Sequence, residues 1–536
     1  MHTLNLSGKS QQRLQKLLLN TLMLSATSFI KKEPIIAVAL LLIIGIAAYL
    51  RLCRLSDSFH FLGDQGRDAL TVSRIFTDKD IVFIGPVTSV GNMYLGPFYY
   101  YFMLPFLFLS YPSPMGPVYA VAIVNIATVA LLYIWGKELV GKRAAVIAAA
   151  LMAISHTVVS LSRFSWNPNI IPFFSLLLFY TCYKAWKGSP KWWIIVSIAF
   201  SVLVQLHYVT ILAGVAAGVV WLIQVIQQRK DAKKIKSLLL FTLIAVAIFI
   251  ASLIPLLLFD YKHNWSNASA FKSLLSSDDN FVQQTSGIQN IQKVLRETHG
   301  RSMHVFFEFT IGKNRLLNSW LVVTILAILS ASYYFIWKKK AEYKGLSVLA
   351  LALVIGVLGL SFYEHNVYDH YISYLFPASF LVLGYCLDRL IKIKYLGILL
   401  VVIFLVFYGQ YNLTRTSFNP GGPSQTQLEK VAVSIHQRVT DGEPYSVVLL
   451  SESGDLYGMN YQYFLSTNKN KRPLSPERHH EADKLFIINE DKKSSTPEDL
   501  PIYEIVVFEN KEPAEVYKLD DGMQITVLSK TKDVEK

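Results

Sequence analysis

Twelve apolar stretches of roughly membrane-crossing length, about 20 residues each, recur in the first 411 residues. They lie near 35–52, 94–111, 115–135, 143–162, 168–184, 191–206, 208–226, 238–259, 318–337, 346–362, 371–388 and 395–411. A soluble core cannot bury so many runs. In a bilayer, each open segment must satisfy its own backbone hydrogen bonds, which helices do. The chain is 53% hydrophobic and only 16% charged, against about 25% charged in soluble proteins. The expectation is a mainly α, polytopic membrane helix bundle.

The net charge of +14 would suit a nucleic-acid binder, but it is unevenly divided. Residues 412–536 carry 15 Lys and Arg against 20 Asp and Glu, so the basic excess belongs to the membrane part. There it orients helices, and no nucleic-acid partner is expected. Lys31 and Lys32 precede the apolar run Pro34–Leu52, which lacks a small-residue cleavage site. This reads as a retained first span after a cytoplasmic segment, 1–34. Cys53, Cys182 and Cys386 fit no metal or disulfide spacing.

If all twelve stretches cross from an inside N-terminus, Arg229, Lys230, Lys233, Lys234 and Lys236 fall outside, against the positive-inside rule. Removing 94–111 puts every basic connection inside, leaving about eleven transmembrane helices within 35–411. The removed segment is rich in Tyr and broken by Pro97 and Pro105, as suits an interfacial or re-entrant helix. A competing count makes it a short span and 191–226 one bent helix. With eleven spans, the loops 53–114 and 260–317 and the tail lie outside.

The tail, 412–536, reads as a soluble extracytoplasmic α/β domain behind the linker Asn419-Pro-Gly-Gly-Pro423. A helix is expected over 425–439, with strands at 447–450, 485–488, 502–508 and 523–528. Its separate composition predicts a role in acceptor choice or stability, with no catalytic base there.

Asp64, Arg67 and Asp68 crowd the first outer loop just beyond a span, at the mouth of a helical pattern. An acid there could simply cap the helix. A carboxylate beside a cation also suits a reaction that deprotonates a nucleophile and expels an anion. The turn Ser162–Asn169 brings Arg163, Trp166 and Asn167 to the same face. Arg163 and Asn167 suit a phosphate or polar headgroup, while Trp166 reads as an interfacial anchor. Gln205, His207 and Tyr208 interrupt an apolar stretch and line either a site or a helix contact. The cluster Tyr363–Tyr371 holds His365, Asp369 and His370, whose spacing matches no metal template. Asp278 and Asp279 sit in the loop 260–317, which defaults to a solvated connection.

The motifs Gly63-Asp64-Gln65-Gly66-Arg67-Asp68, Gly96-Pro97-Phe98-Tyr99-Tyr100-Tyr101, Ser162-Arg163-Phe164 and Asp369-His370-Tyr371 together resemble membrane glycosyltransferases of the C superfamily. The resemblance covers about residues 35–410 and is strongest to the bacterial protein-mannosyltransferase-like and aminoarabinose-transferase-like enzymes. It implies sugar transfer, with inversion, from a polyprenyl-phosphate donor to a hydroxyl of a protein, lipid or glycan at the outer face of the plasma membrane. Asp64 matches the family's first-loop carboxylate, the general base. Gln65 stands where relatives often carry Glu, and Asn167 where some carry an acid, so no metal or other cofactor is predicted. Residues and resemblance together nominate Asp64 as catalytic, and Arg67, Asp68, Tyr99, Arg163, Asn167, His207, Tyr208, His370 and Tyr371 as substrate-binding. Arg67, Arg163 and His207 are the candidates to stabilise the leaving phosphate. The alternative is a polytopic transporter or flippase of envelope glycan precursors, which paired halves with broken helices at midplane would favour.

Overall fold

The computed structural model describes residues 31–59, 61–88, 93–276, 288–305, 344–363, 366–419, 422–452, 454–490, 496–508, 513–519 and 522–530. The expected span 318–337, most of the N-terminal segment, Asp278, Asp279 and His365 lie outside these residues.

The membrane part is built from α1 (Pro34–Leu52), α2 (Gly63–Thr77), α3 (Phe98–Ser110), α4 (Met115–Val140), α5 (Lys142–Ile154), α6 (Ile171–Trp186), α7 (Trp192–Leu206), α8 (Ile211–Gln228), α9 (Ala232–Lys262), α10 (Lys344–Ser361), α11 (Phe376–Ile391) and α12 (Lys394–Arg415). Among the described residues, seven helices are long and apolar enough to cross a membrane: α1, α4, α8, α9, α10, α11 and α12. The helices α5, α6 and α7 are shorter and well buried between them.

Ion pairs and hydrogen bonds gather the basic connections at one end of the bundle. Lys142 pairs with Glu33, Arg143 and Lys392 converge on Asp388 at 3.3 and 2.9 Å, and Lys184 meets Glu138 at 3.1 Å. Lys344 donates to the Trp186 carbonyl at 3.0 Å, and Trp186 to Gln227 at 2.9 Å.

At the other end lies α2, with both ends of α3. The Tyr100 hydroxyl near the start of α3 donates to Asp68 of α2 at 3.1 Å. Just after its last residue, the Pro112 carbonyl accepts from Tyr463 of the tail at 2.9 Å. Thirteen residues rise about 20 Å, short of the roughly 30 Å hydrocarbon core. So α3 begins and finishes at the same end of the bundle.

The tail folds as α13 (Gln425–His436), β1 (Tyr445–Leu450), α14 (Met459–Leu465), β2 (Lys484–Asn489), α15 (Tyr503–Val506), β3 (Pro513–Lys518) and β4 (Gln524–Ser529). The sheet order is β1-β2-β4-β3, parallel only between β1 and β2, whose crossover carries α14. Because strand side chains alternate, Val447 and Leu449 face the main core, which runs on into the bundle, while Val448 and Leu450 face a small second core. The strand expected at 502–508 is instead the helical turn α15. Ile502, Ile505 and Phe508 recur every third residue, which brings all three onto the second core.

Candidate functional site

The loop before α2 closes on its own helix through Gln65, whose side-chain oxygen accepts the Leu62 amide at 2.9 Å. Asp64 therefore need not cap the helix and makes no capping bond. It accepts instead from Arg67 Nη1 at 2.8 Å, with about half its side chain exposed. Arg67 Nε and Nη2 both donate to Oδ1 of Asp68, at 3.1 and 2.9 Å. Tyr100 adds a third hydrogen bond to that same oxygen.

Asp68 is fully buried. Burial pushes its carboxyl up to about 6, against the downward pull of Arg67. The sequence reading had it touching substrate. No substrate reaches a fully buried side chain, so it acts behind Arg67, fixing the guanidinium that in turn holds Asp64.

Asp64 and Arg67 open into a cavity of about 480 Å³. Gln65 lines it from α2, Phe164 and Trp166 from the turn before α6, and Gly454, Asp455 and Met459 from the tail. The tail thus forms part of the wall, beyond the modulatory role its composition suggested. Two glycines allow the approach. A Cβ at Gly63 would sit 2.6 Å from Asp455 Oδ2, and one at Gly66 would overlap the backbone of Met459 and Asn460. Asn460 Nδ2 also donates to the Phe61 carbonyl at 3.2 Å. Asp455 Oδ2 accepts the Met459 amide at 2.7 Å, which fixes the turn before α14.

Trp166 connects this cavity to a second group of rings. Its centre lies 4.6 Å from that of His370, which is 4.5 Å from Tyr371 and 5.9 Å from His207. His207 is 4.9 Å from Tyr371. Burial pushes His207 down to about 3 and His370 down to about 4. Both imidazoles are therefore neutral near pH 7, and His207 does not supply the cation expected of it. Asp369, beside this cluster, pairs with His304 at 2.7 Å.

The remaining nominated residues hold the scaffold. Arg163 is buried, with Nη1 on the Leu50 carbonyl and Nη2 on the Cys53 carbonyl, both at 2.9 Å, and a further bond to Ser58. Its guanidinium ties the end of α1 to the turn before α6, where a phosphate ligand was expected. The fully buried Tyr99 shares a 2.8 Å hydrogen bond with Ser165. Asn167 donates to the Leu206 carbonyl at 2.6 Å, and Tyr208 donates to the Tyr94 carbonyl at 2.5 Å. Among the described residues, no group of three or more His, Cys, Asp and Glu is placed to hold a metal.

The sequence reading missed Asp455, Met459 and the pocket face of Trp166. A Gly-Asp pair such as Gly454-Asp455 has no periodicity, and its place in the site depends on packing across most of the chain.

Residues 96–254 match the dolichyl-phosphate-mannose-protein mannosyltransferase family. No curated protein sequence matches the chain significantly. Among solved structures, ArnT from Cupriavidus metallidurans bound to undecaprenyl phosphate aligns with a TM-score of 0.55 at 13% identity, covering 91% of this chain and 97% of that one. The oligosaccharyltransferase AglB from Archaeoglobus fulgidus, in complex with an inhibitory peptide and a dolichol-phosphate, aligns with a TM-score of 0.52 at 14% identity, covering 94% of this chain and 75% of that one.

Proposed function

Starting from a chain with the architecture of the C-superfamily membrane glycosyltransferases, we propose that it transfers a sugar from a polyprenyl-phosphate donor to a hydroxyl acceptor at the outer face of the membrane. The observation that carries this reading is the Asp64–Arg67 pair, which opens into a cavity at the bundle end opposite the basic connections. By the positive-inside rule those connections face the cytoplasm, so the cavity faces outward.

The acceptor oxygen attacks the anomeric carbon and its proton passes to Asp64. The bond from that carbon to the phosphate oxygen breaks, and polyprenyl phosphate leaves with the electron pair. One displacement inverts the anomeric centre. Arg67, with three of its roughly five N–H groups engaged on carboxylates, is the cation beside the developing phosphate charge. The neutral ring cluster around His370 offers an uncharged surface for the sugar or the first isoprene units. The reading is supported by the matched mannosyltransferase segment and by the undecaprenyl phosphate bound to ArnT.

The test uses the purified full chain with a panel of undecaprenyl-phosphate monosaccharides, and follows the release of undecaprenyl phosphate. Release that depends on Asp64 supports the reading. No release from any member, by a folded protein that also lacks affinity for undecaprenyl phosphate, overturns it.

A further inference from the structure

The first turn of α3 is pinned to two walls of the cavity at once. Tyr99 and Tyr100 are both buried there, and as neighbours on a helix they project about 100° apart. The Tyr99 hydroxyl shares its 2.8 Å hydrogen bond with Ser165, which stands between Phe164 and Trp166 of the cavity lining. The Tyr100 hydroxyl goes to the opposite wall. It donates to Asp68 Oδ1 at 3.1 Å, directly behind the Arg67 and Asp64 that open into the cavity.

Asp68 has few means of keeping its charge. It is fully buried, and its Oδ2 meets no hydrogen-bond partner among the described residues. Three bonds on Oδ1 hold the carboxylate, two from Arg67 at 3.1 and 2.9 Å and one from Tyr100. The guanidinium also serves Asp64, at 2.8 Å through Nη1. Burial is the largest influence on the Asp68 carboxyl and pushes it up, Asp64 adds to that, and Arg67 and the Tyr100 hydroxyl act downward. Tyr99 lies near Asp68 from the same turn of α3, and Asp455 of the tail acts on this group through its proximity to Asp64 and Arg67. Burial and the adjacent Asp68 hold the Tyr100 hydroxyl well above its ordinary value. It therefore keeps its proton and remains a donor at every working pH.

We infer that Tyr100 is a positioning residue for the transfer: its hydroxyl keeps the buried Asp68 carboxylate charged and turned toward Arg67, so that the guanidinium stays on Asp64 at the cavity. This rests on the transferase reading above and adds a residue that lines no part of the cavity. The hydrogen bonds run from Tyr100 to Asp68, and from Arg67 to both Asp68 and Asp64. With Phe at position 100, Oδ1 loses one of its three donors and burial is opposed by Arg67 alone. Asp68 then takes a proton at a higher pH. A neutral carboxyl is a weaker acceptor, and the Arg67 fork is free to turn away from Asp64.

The experiment follows undecaprenyl phosphate release from an undecaprenyl-phosphate sugar by the full chain, from about pH 5 to 9, where few other side chains change charge. The wild type is compared with Tyr100→Phe and Tyr99→Phe. Each variant removes one phenolic oxygen and leaves the ring, so both should insert and fold. Tyr100→Phe should move the acid limb upward by about one pH unit, the worth of one hydrogen bond to a charged acceptor. With the wild-type limb at about 6, the variant's rate should fall about fivefold at that pH and approach the wild-type value well above neutrality. Tyr99→Phe should leave the limb in place. In an Asp68→Asn chain, which has no charge to keep, adding Tyr100→Phe should change the rate by less than about twofold. An unmoved limb in Tyr100→Phe, a rate lowered by one factor at every pH, a limb moved as far by Tyr99→Phe, or a full further loss in the Asp68→Asn chain overturns the inference and leaves the transferase reading standing. A wild-type chain that neither binds nor cleaves any donor overturns the transferase reading and this inference together.

Discussion

Gly66 of the first-loop helix lies so close to Asn460 of the C-terminal domain that a methyl group at position 66 would overlap the Asn460 amide nitrogen. Two helices far apart in the chain are in backbone contact there. On helix propensity alone, Gly66→Ala would stabilise α2 by about 1 kcal/mol. Overpacking of a close backbone contact costs about 1–3 kcal/mol and overrides that gain. Thermal unfolding in detergent should show a lowered midpoint for Gly66→Ala. A raised midpoint would mean the domain does not rest on α2.

Asp64→Asn keeps the shape of the side chain while removing its ability to take a proton. Since Gln65 closes the helix start, α2 should form normally. Transfer should fall by about 10²–10⁴-fold, the scale for loss of a general base, with membrane insertion unchanged. Near-normal turnover would remove Asp64 from the chemistry.

Asp68 should give the proposed transfer a pH dependence. Burial pushes its carboxyl up to about 6, so as pH falls through that value it becomes neutral and loosens its hold on Arg67. The rate should drop on the acid side of about pH 6. Asp68→Asn, neutral at every pH, should be slow throughout and lose that acid limb. A retained limb near 6 in this variant would assign it to another group.

Arg163→Ala should act on stability. Each hydrogen bond from a charged group contributes about 1.5–3 kcal/mol, and the variant strands the Leu50 and Cys53 carbonyls. A lower unfolding midpoint with unchanged affinity for undecaprenyl phosphate is the expected result. A selective loss of that affinity in a chain of normal stability would return Arg163 to the donor site.

The orientation is open to cysteine labelling. Asp80 and Gly141 are both exposed, and Cys182 and Cys386 are buried. In a Cys53→Ala background, Asp80→Cys should react with an impermeant maleimide in intact cells, and Gly141→Cys only after permeabilisation. The opposite pattern inverts the topology.

The helical bundle was readable because a bilayer demands apolar runs of fixed length, and no packing detail alters that demand. The short helix at 98–110 was readable from its tyrosines and prolines for the same reason. Residue type was a poorer guide to what a side chain touches. Arg163 looks identical on paper whether its fork meets a phosphate or the carbonyls at the end of α1, and His207 looks cationic until burial lowers its basicity. In the tail, β1 and β2 stood out as buried apolar runs. The edge strand Pro513–Lys518 is almost wholly exposed and leaves little hydrophobic pattern to find. Asp455 was invisible because only a contact spanning hundreds of residues brings it to Asp64.

That span has a consequence in time. Asn460 donates to a carbonyl 399 residues earlier in the chain. At about 5–20 residues per second of synthesis, the first loop waits roughly 20–80 seconds for its partner to be made. Until then the cavity lacks the wall that Gly454, Asp455 and Met459 supply, and its shape is complete only when the two distant segments have met.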